Sequence, residues 1–503
     1  MADGAERTVP QAHAIVIGSG FGGLAAAVRL GARGYRVTVL ERLDQPGGRA
    51  RVFVQDGFSF DAGPTIVTAP FLFEELWSLC GRRFADDVDL RPLSPFYRIR
   101  FHDGTHIDWS GDVPAMHAQI ARLAPDDLAG YERMMQASRS IYDVAFAQLA
   151  HKPFSRWQDM ARLAPKLMQL HGWRSLYSLV ASRVRDPRLR FALSFHPLFV
   201  GGNPFTTSAL YGLILHLERE AGVHYAMGGT TSLVKGLAKL IDSQGGTIRY
   251  GAEVRQVTLE GRKATGVELA GGERLAADVV VANSDVAHTH QHLLPATARR
   301  TWSDAKLKRM SYSMSVFVWY FGCKRRYEDV GHHTILVGPR YRGLITDIFK
   351  NHVLAEDFSL YLHRPSATDP AVAPPGCDAF YALVPVPNLA SGLDWSREAE
   401  PFRLRIQREL ERTLLPGLGK QVVTSRLLTP QGFQDELLSY RGAAFGMEPV
   451  LTQSAWFRPH NQSEDFEHLY LVGAGTHPGA GIPGVLSSAR VLDTVVPHGR
   501  QFA

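Results

Sequence analysis

The sequence predicts an α/β protein built on an open parallel sheet, with strands drawn from separated pieces of chain, joined to a mixed α+β unit. Three observations predict it. A strand, a glycine-rich turn, a helix and a second strand follow one another between His13 and Glu41. Far downstream, Asp278 to Ala282 (DVVVA) is a continuous apolar run suited to a strand buried on both faces. Near the end of the chain, a third such strand, Leu469 to Val472, runs into Gly473-Ala474-Gly475.

Taken in order, His13 to Ile17 reads as a short buried strand leading into Gly18-Ser19-Gly20-Phe21-Gly22-Gly23. A helix of small residues, Leu24 to Arg33, follows and is closed by Gly34 at a C′ position. Arg36 to Leu40 is the second strand, and it ends at Glu41. Gly18, Gly20 and Gly23 fit G-x-G-x-x-G. The first glycine allows the tight turn, the second lets backbone approach a pyrophosphate, and the third lets helix and strand pack closely. The helix N-terminus offers free N–H groups to the phosphates. Glu41, about 20 residues further on, can accept both ribose hydroxyls in charge-assisted hydrogen bonds. Together these features predict a Rossmann-type dinucleotide-binding domain.

Next, Ala50 to Val54 and Phe58 to Phe60 flank Asp56-Gly57, a two-residue hairpin signal. From about Pro70 to Glu220 the text is mostly helical, with aromatic-rich, basic stretches. Gly246 to Leu269 reads as short strands around a turn at Gly261, and Gly271-Gly272 makes another turn. Residues 300–455 mix strands, such as Val316 to Phe321, with helices and a proline-rich loop around Pro370 to Pro375. Val485 to Val495 reads as a closing helix. This order assigns residues 1–70, 221–300 and 456–503 to one discontinuous dinucleotide domain. Residues 71–220 and 301–455 form the second. Ligands then belong in the crevice beyond the strand C-termini.

A chain of 503 residues is longer than one compact core usually serves. The excess of 55 basic over 49 acidic residues is modest and forms no long Lys/Arg run, which argues against nucleic-acid binding. A weakly basic face still suits an anionic membrane surface. Cys80, Cys323 and Cys377 lie too far apart for a disulfide framework or a metal knuckle, in keeping with a reducing cytosol. The first twenty residues do not have the pattern of a signal peptide, and no run of about 20 apolar residues could span a bilayer. His288, His290 and His292 alternate, but Asn283-Ser284-Asp285 suggests a capped helix on which they would splay apart. No metal site is expected there.

Gly47-Gly48-Arg49 follows Glu41-Arg42, and Asp61-Ala62-Gly63-Pro64-Thr65 follows the hairpin. Glycines let backbone approach a cofactor, and arginine offers phosphate or ring contacts. The pattern E-R-x4-G-G-R after a dinucleotide fold resembles the flavin amine-oxidase-type superfamily, where it lines the FAD. The segment LYLVGAGTHPGAGIPGVLSSA, from Leu469 to Ala489, closely resembles the signature of bacterial and fungal carotenoid desaturases of the phytoene desaturase type. FSFDAGPT, SFHPLFVGGNPF, HLEREAGVHYAMGGT, EDFSLYLH and VLTQSAWFRPHN extend the resemblance along almost the whole chain.

The resemblance implies FAD held by Gly18, Gly20, Gly22, Gly23, Glu41, Gly47, Gly48, Arg49, Gly63, Pro64, Thr65, Val254, Gly473, Gly475, Gly484 and Val485. It implies stepwise desaturation of phytoene through phytofluene and zeta-carotene to neurosporene and/or lycopene. Side chains offer no electron sink, so the flavin supplies it. Oxygen or a quinone would take the electrons onward. Rivals within the same fold are a carotenoid isomerase, a ketolase-like oxidase and an amine oxidase. A non-catalytic escort protein is a further alternative, which the intact glycine turn, Glu41 and GGR segment oppose.

At about 0.8 kcal/mol per buried CH₂, a C40 hydrocarbon is driven strongly out of water, so the enzyme must collect it from a bilayer. A cytoplasmic protein lying peripherally on the membrane is expected. The candidate membrane face is Pro165 to Arg190. It carries Leu167, Leu170, Trp173, Leu176, Tyr177 and Val180 beside Lys166, Arg174, Arg183, Arg185, Arg188 and Arg190. A core-facing helix with solvated arginines is the alternative. Asp159 and Arg162 sit at i, i+3 on one helix face, where the resemblance implies an acidic residue assisting a cation-like polyene. They are the candidate catalytic pair, with a surface ion pair as the other reading. His196 and Asn203 are further candidates.

Overall fold

The computed structural model describes residues 11–502; the N-terminal ten residues, read above as no signal peptide, lie outside them. Five strands form a parallel sheet in the order Leu469–Leu471, Val279–Ala282, His13–Ile17, Arg36–Leu40, Thr247–Arg249. Every residue of Val279–Ala282 is buried, as are the last four of His13–Ile17 and of Arg36–Leu40. Layers cover both faces, so these strands are mostly apolar along their length rather than alternating. The helices Phe21–Ala32, Thr230–Ser243 and Ile482–Val495 share one core with this sheet. The first of them starts directly after Gly20, three residues before the expected Leu24. It ends where Gly34, at φ +86°, turns the chain and the Tyr35 N–H donates to the Leu30 carbonyl at 3.1 Å.

A second sheet of seven strands has the order Val422–Leu428, Ser315–Cys323, Asp378–Val386, Leu360–His363, His333–Leu336, Tyr97–Arg100, His106–Trp109. All nine residues of Ser315–Cys323 are buried, because the helix Trp395–Thr413 covers one face and the Val52–Asp61 hairpin the other. That hairpin turns through Asp56 and Gly57, both at positive φ, as its two-residue loop requires. Two strands of this sheet, Tyr97–Arg100 and His106–Trp109, lie in the stretch read as mostly helical. Each is only four residues long, so their alternation is too brief to stand out among the surrounding helices. Against them pack Leu128–Ala145, Leu176–Ala181 and Pro187–Ser194.

Candidate active site

One continuous cavity runs from the glycine turn of the parallel sheet to the inner face of the seven-stranded sheet. Its nucleotide end is lined by Gly18, Gly20, Gly22, Glu41, Gly47, Gly48 and Arg49 from the first β-α-β unit. Gly63, Pro64 and Thr65 come from beyond the hairpin, Val254 from the middle of the chain, and Gly473, Gly484 and Val485 from its end. Gly23 and Gly475 are not part of the wall. A Cβ on Gly475 would meet Val286 at 2.6 Å, and Gly23 lies packed against the backbone of its own turn, so both act through close packing.

The cradle is ordered around Asn283, which follows the buried strand Val279–Ala282. Its Nδ2 donates to the Gly18 carbonyl at 3.3 Å. A Cβ on Gly22 or Gly473 would fall 2.6 or 2.7 Å from its Oδ1. Glu41 is buried, and its carboxylate accepts from the Ser19 N–H at 2.9 Å, the Ser19 hydroxyl at 2.5 Å and the Leu43 N–H at 2.9 Å. Arg49 donates to Ser439 at 2.7 Å, while its buried Nε finds no partner among the described residues. Burial lowers the pKa of the Arg49 guanidinium. Burial also raises the Asp285 carboxyl nearby, against the opposing pull of the His288 N–H and Arg49. A glycine cradle, an acid at the second strand's end and an unmet arginine donor fit a flavin dinucleotide.

The other end is apolar and aromatic, with Phe191, Phe195, Phe199, Tyr341, Ile345 and Leu383 in its wall. Thr65 and Glu218 are among the polar groups that interrupt it. Thr65 bonds both the Tyr361 hydroxyl at 2.9 Å and the Tyr381 hydroxyl at 2.6 Å. Glu218, fully buried in the helix Leu213–Ala221, contributes a carboxyl to the wall. Its Oε2 accepts from the Tyr97 hydroxyl at 2.7 Å and lies 3.2 Å from His196 Nε2. Its Oε1 is buried with no partner among the described residues. Burying an unmet carboxyl oxygen is costly, which marks this group for a functional role. The sequence singles out His196 as a candidate, whereas Glu218 and Asn283 stand out as site residues only in the fold. Asn203 caps a local turn, accepting from the Phe205 N–H at 2.8 Å.

Asp159 and Arg162 are not brought to the cavity. They lie on the helix Trp157–Gln169, which has no buried residue, and face each other at 3.7 Å with the Arg162 side chain 80% exposed. The residues this helix does turn into the cavity are the apolar Met160 and Leu167. The surface ion pair is therefore the reading the structure favours. The stretch Pro165 to Arg190 also divides. Leu176 and Val180 are core residues, and Tyr177 packs on Phe205 with ring centroids 4.5 Å apart. Arg174, Arg183 and Arg190 donate to local carbonyls of Ser178, Leu179 and Val184. Its large apolar side chains open to solvent, Met168 and Trp173, lie in its first part. Asp285 caps the short helix Val286–His288 as expected, but the three histidines do not all splay apart: His288 lines the cavity with its ring centroid 4.8 Å from that of His292, while His290 bonds the Val286 carbonyl.

The family model for flavin containing amine oxidoreductases matches residues 21–491. A neurosporene-forming phytoene desaturase of Cereibacter sphaeroides is 50% identical over 490 residues, covering 96% of this chain and 94% of that one. A lycopene-forming phytoene desaturase of a Paracoccus species is 47% identical, covering 96% and 97%. Among solved structures, an oxidoreductase from Methanosarcina mazei matches with a TM-score of 0.65 at 20% identity, over 96% of this chain and 100% of that one, which shows the shared fold. With its glycine cradle, buried Glu41 and long apolar cavity, the chain belongs to the flavin-containing amine oxidoreductase family, among the phytoene desaturases.

Proposed function

We propose that this chain desaturates phytoene stepwise, through phytofluene and zeta-carotene, to neurosporene and/or lycopene, with FAD as cofactor and oxygen or a quinone as final electron acceptor. The observation that carries the reading is the single cavity, in which a dinucleotide cradle opens directly into an apolar, aromatic-walled space. Its relatives of near-equal identity form either neurosporene or lycopene, so both end products belong to the proposal.

Bound FAD supplies the two-electron sink that side chains lack. The protein's own part is to hold the polyene, exclude water and take the proton that each desaturation releases alongside a hydride equivalent. Glu218 is suited to that proton, since its Oε2 is fixed by Tyr97 and its Oε1 is unmet in a wall of aromatic residues. Among the described residues, no helix is long and apolar enough to cross a membrane. Substrate entry from a membrane surface is supported by Trp157, Met168 and Trp173, 62%, 56% and 61% exposed on or beside the helix whose Met160 and Leu167 line the cavity. Leu451, itself exposed and cavity-lining, and the exposed Trp456 and Phe457 flank the same end.

Incubating the flavin-loaded protein with phytoene in liposomes, followed by chromatography, tests the reading. Conjugated products with neurosporene or lycopene spectra are expected. Unchanged phytoene would reject it, and a geometric isomer formed without flavin reduction would favour the isomerase instead.

A further inference from the structure

Behind the cavity wall, three histidines on or beside two adjacent strands converge. Strand register sets His333 opposite His363, and His332 precedes His333 directly. All three are buried. The Nε2 atoms of His332 and His363 stand 3.1 Å apart, and one nitrogen from each of the three rings lies within 4.8 Å of the others. A tetrahedral zinc ion with ordinary Zn–N bonds separates its nitrogens by about 3.3 Å. The first pair is thus already at chelating distance, and the third ring needs to move in by roughly 1.5 Å. We propose that His332, His333 and His363 form a binding site for a divalent first-row transition metal, with zinc the best match to its donors.

Further observations support this. His333 Nε2 and His363 Nδ1 are buried without partners among the described residues, so these rings are not ordinary satisfied core histidines. The far nitrogens of two rings have the outer partners that metal-bound histidines use: His332 Nδ1 lies 2.6 Å from the Thr368 hydroxyl, and His333 Nδ1 lies 2.6 Å from the Tyr361 hydroxyl. The neighbouring Arg364 is charge-paired with buried Asp378 at 3.0 Å, which offsets its repulsion of a cation. Three imidazoles without a carboxylate favour zinc, nickel or copper over magnesium or calcium. The buried hydroxyl of Tyr225, whose ring centroid is 4.7 Å from that of His332, has no partner among the described residues and suits a water in the fourth position.

Such an ion would brace the cavity from behind, because Tyr361 both lines the wall and bonds His333. The site shares no ligand with the flavin cradle and meets it through the Tyr361–Thr65 hydrogen bond, so its test needs no turnover. Full-length, flavin-loaded protein is stripped with a chelator and titrated with cobalt(II), then with zinc(II). One equivalent of cobalt is expected to give the visible ligand-field bands of a tetrahedral site, and one equivalent of zinc should remove them. His332→Ala and His363→Ala should abolish the bands while the flavin spectrum stays. Thr368→Val, which keeps every ligand, should weaken metal binding about tenfold. Absence of stoichiometric cobalt and zinc uptake by the wild-type protein would overturn the proposal, and this reading does not depend on any variant folding. Uptake that survives both histidine substitutions would overturn it too.

Discussion

A Cβ on Gly23 would fall 2.0 Å from the carbonyl oxygen of Gly18, so the first helix rests on its own turn with no room for a methyl group. The obstruction is backbone, which cannot rotate aside as a flexible side chain could. Gly23→Ala should therefore displace the helix N-terminus and reduce flavin occupancy, at a stability cost of about 1–3 kcal/mol. Gly20→Val, placing bulk beside Asn283 within the cavity, should remove flavin binding altogether. The ratio of flavin to protein absorbance after purification checks both, and full occupancy in Gly20→Val would displace the phosphate site.

Glu218→Gln keeps the size and the burial of the side chain but cannot take up the proton. It should slow product formation on liposomal phytoene by about 10²-fold while leaving flavin content intact. Turnover at the wild-type rate would return Glu218 to a purely structural role with Tyr97.

Asp159→Asn should leave turnover unchanged and shift stability by no more than about 0.5 kcal/mol, as for other exposed ion pairs. A large loss of activity with flavin retained would show that this helix reaches the reacting polyene in the working enzyme.

Trp157→Ser with Trp173→Ser should weaken cosedimentation with anionic liposomes and cut product formation without altering the flavin spectrum. Binding of the wild type should fall with added salt, since charge attraction fades within a Debye length of about 8 Å, yet persist through its apolar part. Tyr177→Ser should act differently. It opens a gap against Phe205 and lowers the melting temperature instead of liposome affinity.

Acid should destabilise the fold through buried neutral histidines. His477, bonded to the Leu149 carbonyl at 3.1 Å, is pushed down to about 4 by burial, and His288 likewise to about 4. The unfolded chain takes up these protons near pH 6.5, before the folded one does. Stability is therefore full above that pH and falls as pH drops from 6.5 toward 4, by up to about 3 kcal/mol per group. Melting temperatures measured between pH 7 and 5 should fall, and His477→Gln should flatten the slope.

The dinucleotide half was legible because its signals are local or extreme. Spaced glycines sit in one turn, Glu41 ends the next strand, and strands buried on both faces read as mostly apolar runs. The polar groups of the deeper cavity were not. Glu218 lies in HLEREAGVHY, where it looks like one charge on a solvated helix, and only the fold brings Tyr97 and His196 to it from more than a hundred and about twenty residues away. His332 and His333 point to no third partner until strand pairing adds His363. The basic aromatic stretch after Pro165 misled for the opposite reason. Its helical periodicity was real, but from Leu176 onward the apolar face turns inward and the arginines cap nearby carbonyls.

The parallel sheet has a consequence for the order of events during synthesis. Its outer strand, Leu469–Leu471, pairs with Val280 to Ala282, and the stretch that completes the nucleotide cradle, Gly473 to Val485, follows immediately. The central strands of the seven-stranded sheet have all left the ribosome before this edge exists. Assembly thus waits on contacts between residues hundreds of positions apart, which are the slow ones to form. Cofactor capture should be a late step, after translation is nearly finished, and a ribosome stalled before residue 469 should hold a chain that does not retain flavin.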